Sequence, residues 1–173
     1  MTVSFLAALA AMAIFASSMV CVAVTDLRTR KIWNGLVLAL LIAYAGLAPL
    51  AGFTPQEIGH SVLVALAVLL VALVLFSRRL IGGGDAKLAA VISLWFGPDH
   101  TPAYFMYMAL VGGAFAFGIL MFRMLPLPAG MHNGGWVARL HSKGTGMPYG
   151  VAMAVAGLMV LPTTHWAGTA LGI

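Results

Sequence analysis

The sequence predicts an all-α protein that crosses a membrane six times, and three observations carry this prediction. The chain has 173 residues, of which 62% are hydrophobic and 8% charged, whereas a soluble domain carries about 25% charged residues. Its apolar residues form long uncharged runs rather than alternating or amphipathic patterns, as expected for helices in lipid. The basic residues are confined to alternate connections between these runs. We therefore treat residues 1–173 as one membrane-embedded domain.

The uncharged runs define the predicted spans in order along the chain. They cover residues 3–25, 33–52, 58–77, 84–97, 103–122 and 147–168. The first run lacks the basic start of a secretory signal peptide, and it is long enough to cross the ~30 Å hydrocarbon core. We therefore expect it to be a permanent first helix. The fourth run would span only about 24 Å at ~1.5 Å per residue, so it must thin the bilayer or begin inside it.

The charged residues predict the side of the membrane on which each connection lies. All nine Lys and Arg residues lie in or beside the first, third and fifth connections: Arg28, Arg30, Lys31, Arg78, Arg79, Lys87, Arg123, Arg139 and Lys143. The second connection carries Glu57, and the fourth carries Asp99 and His100. Because cytoplasmic connections are enriched in Lys and Arg, the basic connections are predicted to be cytoplasmic and both termini external.

Composition also restricts the partners and cofactors of the protein. A net charge of +5 would suggest nucleic acid in a soluble protein, but here basic connections beside anionic lipid explain it, with Arg30 and Lys31 as lipid anchors. Cys21 is the only cysteine, which excludes an internal disulfide and a Cys-rich zinc site. His132 and His141 lack the helical spacing and the neighbouring carboxylate of a metal site. We predict no nucleic acid, metal or cofactor.

Two of the four carboxylates are candidates for chemistry. Asp26 ends the first predicted helix and Asp85 begins the fourth, so both lie at the same predicted cytoplasmic edge, whereas Glu57 and Asp99 lie on the other side. Two carboxylates that share a site do not easily both ionise, which provides a general acid and a general base for activating water. The alternative is that Asp26 pairs with a nearby arginine and Asp85 caps the fourth helix.

Three short stretches distinguish between these alternatives. They are Asp26-Leu27-Arg28-Thr29-Arg30-Lys31-Ile32-Trp33-Asn34, then Gly82-Gly83-Gly84-Asp85 with Lys87 after it, and Met147-Pro148-Tyr149-Gly150. The first two resemble the motifs of the prepilin peptidase family of membrane aspartic proteases, the second as its Gly-x-Gly-Asp motif. The third resembles the Pro-Tyr-Gly segment that opens the last helix in the short, pilus-assembly (Tad/Cpa-like) branch of that family.

The resemblance implies that the protein is an aspartic endopeptidase of the inner membrane with Asp26 and Asp85 as its catalytic pair. Its substrates would be precursors of type IV pilins or pseudopilins, whose short basic leader is removed at the cytoplasmic face. The pilus-assembly machinery is then a candidate partner. Larger family members carry a Cys-x-x-Cys insertion and methylate the product, and since this sequence has no such insertion we expect peptidase activity without methyl transfer.

Five residues near the aspartates are candidates for supporting roles. Gly82 and Gly84 would let a substrate backbone approach closely, or would serve as a hinge or helix-packing contact. Lys87 and Arg28 would hold one carboxylate ionised or bind phosphate headgroups. Asn34 would orient a catalytic group or cap the second helix.

A second function class also accounts for carboxylates inside a membrane protein. A small transporter, or a structural subunit of a pilus or secretion machine, would use Asp26 and Asp85 to coordinate protons or cations. Transporter sites are usually built near the membrane midplane. The placement of both aspartates at one membrane edge therefore favours the protease.

Overall fold

A computed structural model of the protein describes residues 2–125, 141 and 147–172, and every regular element in these ranges is helical. The elements are α1 (Val3–Thr29), α2 (Asn34–Leu50), α3 (Pro55–Ser77), α4 (Gly83–Met124), α5 (Tyr149–Val160), a 3₁₀ turn (Leu161–Thr163) and α6 (His165–Leu171). The all-α prediction is confirmed for these residues. Most of the fifth predicted connection, including His132, lies outside them.

Three helices, α1, α3 and α4, are long and apolar enough to cross a membrane. The count rises to four if α5, the 3₁₀ turn and α6, which bend by 48° at one break, form a single span. The helix α2, with 17 residues, is shorter. The structure thus fits a membrane protein, while six crossings and external termini remain predictions.

The long helix α4 is interrupted at Gly97. This glycine has φ 63° and ψ −170°, a combination that residues with a side chain rarely adopt. A Cβ atom at this position would also lie 3.0 Å from Ser61 Oγ. After the break, the Thr101 hydroxyl donates a hydrogen bond to the carbonyl of Gly97 at 2.6 Å. Gly97 therefore separates α4 into two helical halves.

The two halves of α4 lie beside each other. Asp85 in the first half and Met108 in the second line the same cleft, although a straight helix would place them about 35 Å apart at ~1.5 Å per residue. The rings of Phe96 and Tyr104 also make contact across the break, with centroids 5.6 Å apart. The chain thus turns back at Gly97, the last residue of the predicted span 84–97. The predicted connection 98–102, which carries Asp99 and His100, is helical and belongs to α4.

Other helix boundaries also differ from the predicted spans. The helix α1 continues to Thr29, beyond the predicted span 3–25, and Asp26 lies in its last turn, at the end of the helix as predicted. The helix α3 begins at Pro55, because Thr54 and Glu57 form a reciprocal capping box, and Glu57 therefore belongs to the first turn rather than to a loop. The predicted span 147–168 is bent before His165 instead of straight.

Aromatic residues fix the helices against one another in the core. The indole of Trp166 donates a hydrogen bond to the carbonyl of Trp95 at 2.9 Å, and the indole of Trp95 donates to the carbonyl of Leu40 at 3.2 Å. Phe15 and Tyr44 pack on the same buried ring system. These contacts tie α1, α2, α6 and the first half of α4 together. The end of α1 and the start of α4 are thereby held at one end of the bundle.

The two ends of the bundle carry different polar groups. One end, which we call the dyad end, contains Asp26 and Asp85. The other, which we call the Glu57 end, has a cavity of about 110 Å³ lined by Glu57, Asp99 and His165, among others. The four carboxylates thus form two pairs at the two ends of the bundle, while the side of the membrane on which each end lies remains a prediction.

Candidate active site

Asp26 is buried where α1 ends. Its side chain lies in a residue that is 5% exposed, and its carboxylate accepts a hydrogen bond from the backbone N–H of Gly150 at 2.7 Å. The N–H of Val151 also interacts with this carboxylate. The first N–H groups of a helix have no partner inside the helix and attract negative charge. Asp26 therefore caps α5 from another helix, far away in sequence.

The contact between Asp26 and α5 depends on a glycine. A Cβ atom at Gly150 would lie 2.8 Å from Oδ2, 2.9 Å from Cγ and 3.0 Å from Cβ of Asp26, distances at which real Cβ atoms are essentially never found. In the sequence, Gly150 stands out only as part of the Met147–Gly150 segment, and this contact is not predicted. A glycine in the first turn of a helix could have indicated it, because the N–H groups there need an acceptor from outside the helix.

Asp85 is the third residue of α4 and its carboxylate turns back over the start of that helix. The backbone N–H of Gly82, the N-cap residue, interacts with the carboxylate. A Cβ atom at Gly82 would lie 2.8 Å from Asp85 Oδ2. The capping role that sequence analysis considered as the alternative is therefore present. It does not remove Asp85 from solvent, because the half-buried side chain lines a large cleft.

The structure brings the two aspartates together. Their carboxylates lie close enough for the charge of Asp26 to act on Asp85. The segments that carry them are in direct contact, since a Cβ atom at Gly84 would lie 3.2 Å from Cβ of Ile32. A hydrogen bond of 3.1 Å from Lys87 Nζ to Asn34 Oδ1 joins the same two segments. Both predicted motifs therefore build one site.

The remaining predicted site residues take roles that differ in part from expectation. Asn34 does not cap α2, whose N-cap is Trp33 without a side-chain cap bond; it accepts the hydrogen bond from Lys87 instead. Arg28 is exposed on the last turn of α1. Arg30, which sequence analysis assigned to lipid, is half-buried, and its positive charge acts on Asp26.

An apolar cleft of about 1020 Å³ opens at the dyad end, between α3, both halves of α4 and the start of α5. Its apolar lining includes Ala72, Leu75, Phe105, Met108, Met147 and Met153. Arg79, Asp85 and Tyr149 supply its polar groups. Asp26 is not among the lining residues; it is buried and bonded to Gly150, the residue after Tyr149. The cleft has the size and character of a site for an apolar ligand segment.

Sequence analysis also missed Tyr104, which comes from the second half of α4. Its side chain is fully buried, and its hydroxyl has no hydrogen-bond partner in the described part of the chain. The charge of Asp85 acts on this hydroxyl. No motif marks Tyr104, and only the turn at Gly97 brings it toward the aspartates.

Among residues 2–125, 141 and 147–172, the His, Cys, Asp and Glu side chains form no group of three that could hold a metal ion.

A model of the type IV leader peptidase family matches residues 13–117, a range that includes both Asp26 and Asp85. The chain belongs to the type IV leader peptidase family. Two curated relatives, both called prepilin leader peptidase/N-methyltransferase, come from Aeromonas salmonicida, one of them from strain A449. Each is 30% identical over 122 residues, which cover 63% of this chain and 38% of the relative. The match therefore spans well under half the length of these relatives. No solved structure matches the chain.

Proposed function

We propose that the protein is an aspartic endopeptidase that removes the short basic leader from type IV prepilin or pseudopilin precursors. One observation carries this proposal: two carboxylates from distant segments come together, Asp85 on the wall of a large apolar cleft and Asp26 bound to Gly150, the residue after Tyr149 in the same wall. Family membership supports a leader peptidase, and the names of the relatives support prepilins as the substrate class.

The geometry assigns different positions to the two carboxylates. Asp85 lines the cleft and would contact the peptide. Asp26, which is held by α5, would bind the attacking water together with Asp85. The ionised carboxylate takes a proton from water while the water oxygen attacks the peptide carbonyl carbon. The protonated carboxyl group then gives its proton to the amide nitrogen as the peptide C–N bond breaks. The apolar lining of the cleft suits the hydrophobic segment that follows the leader in such precursors.

The distribution of charge supports a location at the cytoplasmic face of the inner membrane. Six basic residues surround the dyad end: Arg28, Arg30, Lys31, Arg78, Arg79 and Lys87. The described lining of the cavity at the Glu57 end contains no Lys or Arg. By the positive-inside rule the dyad end is cytoplasmic, which places a basic leader on the same side as the catalytic pair. Six crossings follow if α2, each half of α4 and the bent α5–α6 unit all span.

The direct test is cleavage of a candidate pilin precursor by the purified protein in detergent. We expect mass spectrometry to show one cut that releases the leader, in the presence of a metal chelator and without nucleotide. Asp26→Asn and Asp85→Asn proteins, inserted into the membrane at normal levels, serve as negative controls. Cleavage by either variant would contradict the proposal and favour the transporter or structural-subunit alternative.

A further inference from the structure

The first turn of α5 contacts both Asp26 and the cleft through consecutive residues. At Gly150 the backbone N–H binds Asp26 at 2.7 Å. The preceding residue, Tyr149, lines the same cleft as Asp85. Two adjacent residues of α5 therefore contact the buried Asp26 and form part of the cleft wall that the half-buried Asp85 also lines.

The fit on the Asp26 side leaves no room for adjustment. The atoms nearest to a Cβ at Gly150 include Cγ and Cβ of Asp26, at 2.9 and 3.0 Å. Cβ cannot move away without moving α1, and Cγ can move only by a rotation of the side chain that would break its hydrogen bond with Gly150. By contrast, a Cβ at Gly157, two turns further along α5, would lie 3.4 to 3.5 Å from Met19 Sδ and the ring of Phe15, which is close to ordinary contact.

The fit on the cleft side is open. Tyr149 is 55% exposed, and its ring also lies against the second half of α4, where a Cβ at Gly112 would be 3.8 Å from Tyr149 Cε1. An exposed aromatic ring in an otherwise apolar cleft offers a large contact area at a small cost in side-chain entropy. Tyr149 is thus available to a ligand while its backbone is fixed by helix α5.

We propose that the first turn of α5 is a positioning element of the active site, in which Gly150 fixes the Asp26 carboxylate and Tyr149 packs against the apolar segment of the substrate. This rests on the proposed function. The two residues act on different steps, because Gly150 sets the geometry of water activation and Tyr149 contributes substrate binding. A turn that served only to start α5 would affect folding and neither step selectively.

Kinetics of four variants separate these roles. Gly150→Ala should lower kcat by about 100-fold, the loss typical of a 1 Å misplacement of a reacting group, and leave KM within about twofold. Tyr149→Ala should raise KM by about tenfold and leave kcat nearly unchanged. Gly157→Ala, the matched glycine control, should behave as wild type, and Tyr149→Phe, which keeps the ring, should restore most of the substrate binding that is lost in Tyr149→Ala. Equal losses in the two glycine variants, or an unchanged KM in Tyr149→Ala, would overturn the proposal.

Thermal unfolding in detergent provides a second measurement that does not depend on activity. If the clash at Gly150 is with Asp26, Gly150→Ala should lower the unfolding temperature less in an Asp26→Ala background than in the wild type. An identical decrease in both backgrounds would show that the close contact with Asp26 is not the reason that position 150 requires glycine. If the wild-type protein cleaved no precursor, the proposed function would fail, while this cycle would still test the contact.

Discussion

Asp26 at the dyad end and Glu57 at the Glu57 end are both hydrogen-bonded carboxylates, but the partner of the first is distant in sequence and the partner of the second is local. Glu57 is exposed and bonded to Thr54, three residues before it, with His165 at 3.7 Å. Asp26 is buried and bonded to Gly150, 124 positions away. A local bond starts a helix wherever the sequence places it, whereas a buried carboxylate with a distant partner requires the whole fold. Asp85 shows that a capping bond alone does not decide, because it turns back on Gly82 and also lines the cleft beside Asp26. The candidate site is therefore marked by a buried carboxylate with a distant partner, and not by the absence of helix capping.

The largest expected difference between the two ends is in catalysis. Asp26→Asn and Asp85→Asn keep the side-chain shape but prevent the pair from dividing acid and base roles, so each should reduce cleavage by at least about 10²–10⁴-fold. Because the pair acts as a unit, the double variant should be scarcely worse than either single variant. Glu57→Gln and Asp99→Asn, at the other end, should retain most activity. Initial rates of precursor cleavage at matched protein levels measure this.

A smaller effect is expected from crowding Asp85 through its backbone neighbour. In Gly82→Ala the new Cβ would lie 2.8 Å from Asp85 Oδ2, which is the free end of a side chain and can rotate away. The fold should persist while the displaced carboxylate lowers kcat by about tenfold or more. Gly59→Ala is the control at the Glu57 end, since a Cβ there would meet no described atom within 4 Å. Equal activity in the two variants would contradict a role for the Asp85 orientation.

The sequence predicts much of this comparison because its signals are local. Apolar runs mark the helices, and charge placement assigns Asp26 and Asp85 to one end and Glu57 to the other. The contact of Gly150 with Asp26 and the approach of Tyr104 to Asp85 were not predictable, because both arise from packing between segments that carry no complementary pattern.

The helix boundaries fail for a related reason. A hydropathy profile assigns a charged residue such as Glu57 to a loop. Its carboxylate in fact accepts the backbone N–H of Thr54 and so caps the first turn of α3. The prediction that Arg30 contacts lipid failed because the sequence does not show where α1 ends. Arg30 adopts a left-handed conformation with φ 55°, which ends the helix close to Asp26.

Two buried tyrosines give a finer comparison between the ends. The hydroxyl of Tyr104 has no hydrogen-bond partner within the described residues and interacts with Asp85, whereas the hydroxyl of Tyr44 interacts first with Ser61 and then with Glu57. Replacement by Phe removes a single hydroxyl, so both variants should be as stable as wild type within about 1 kcal/mol. Only Tyr104→Phe should lower kcat, by about threefold to tenfold, because it removes the hydroxyl that interacts with Asp85. A decrease of equal size in Tyr44→Phe would remove this distinction.

The smallest effect should be confined to stability and to the Glu57 end. Thr54→Ala removes the hydroxyl that accepts the N–H of Glu57 at 3.3 Å, and N-cap losses of this kind cost about 1 kcal/mol. The free energy of unfolding in detergent should therefore fall by that amount, while kcat and KM stay unchanged, because the box lies at the far end of α3 from the cleft. Thr54→Ser keeps the acceptor and should match the wild type in both measurements. If Thr54→Ala instead reduced kcat as much as Gly82→Ala, the two ends would be coupled through α3, and the local character assigned to the Glu57 end would be wrong.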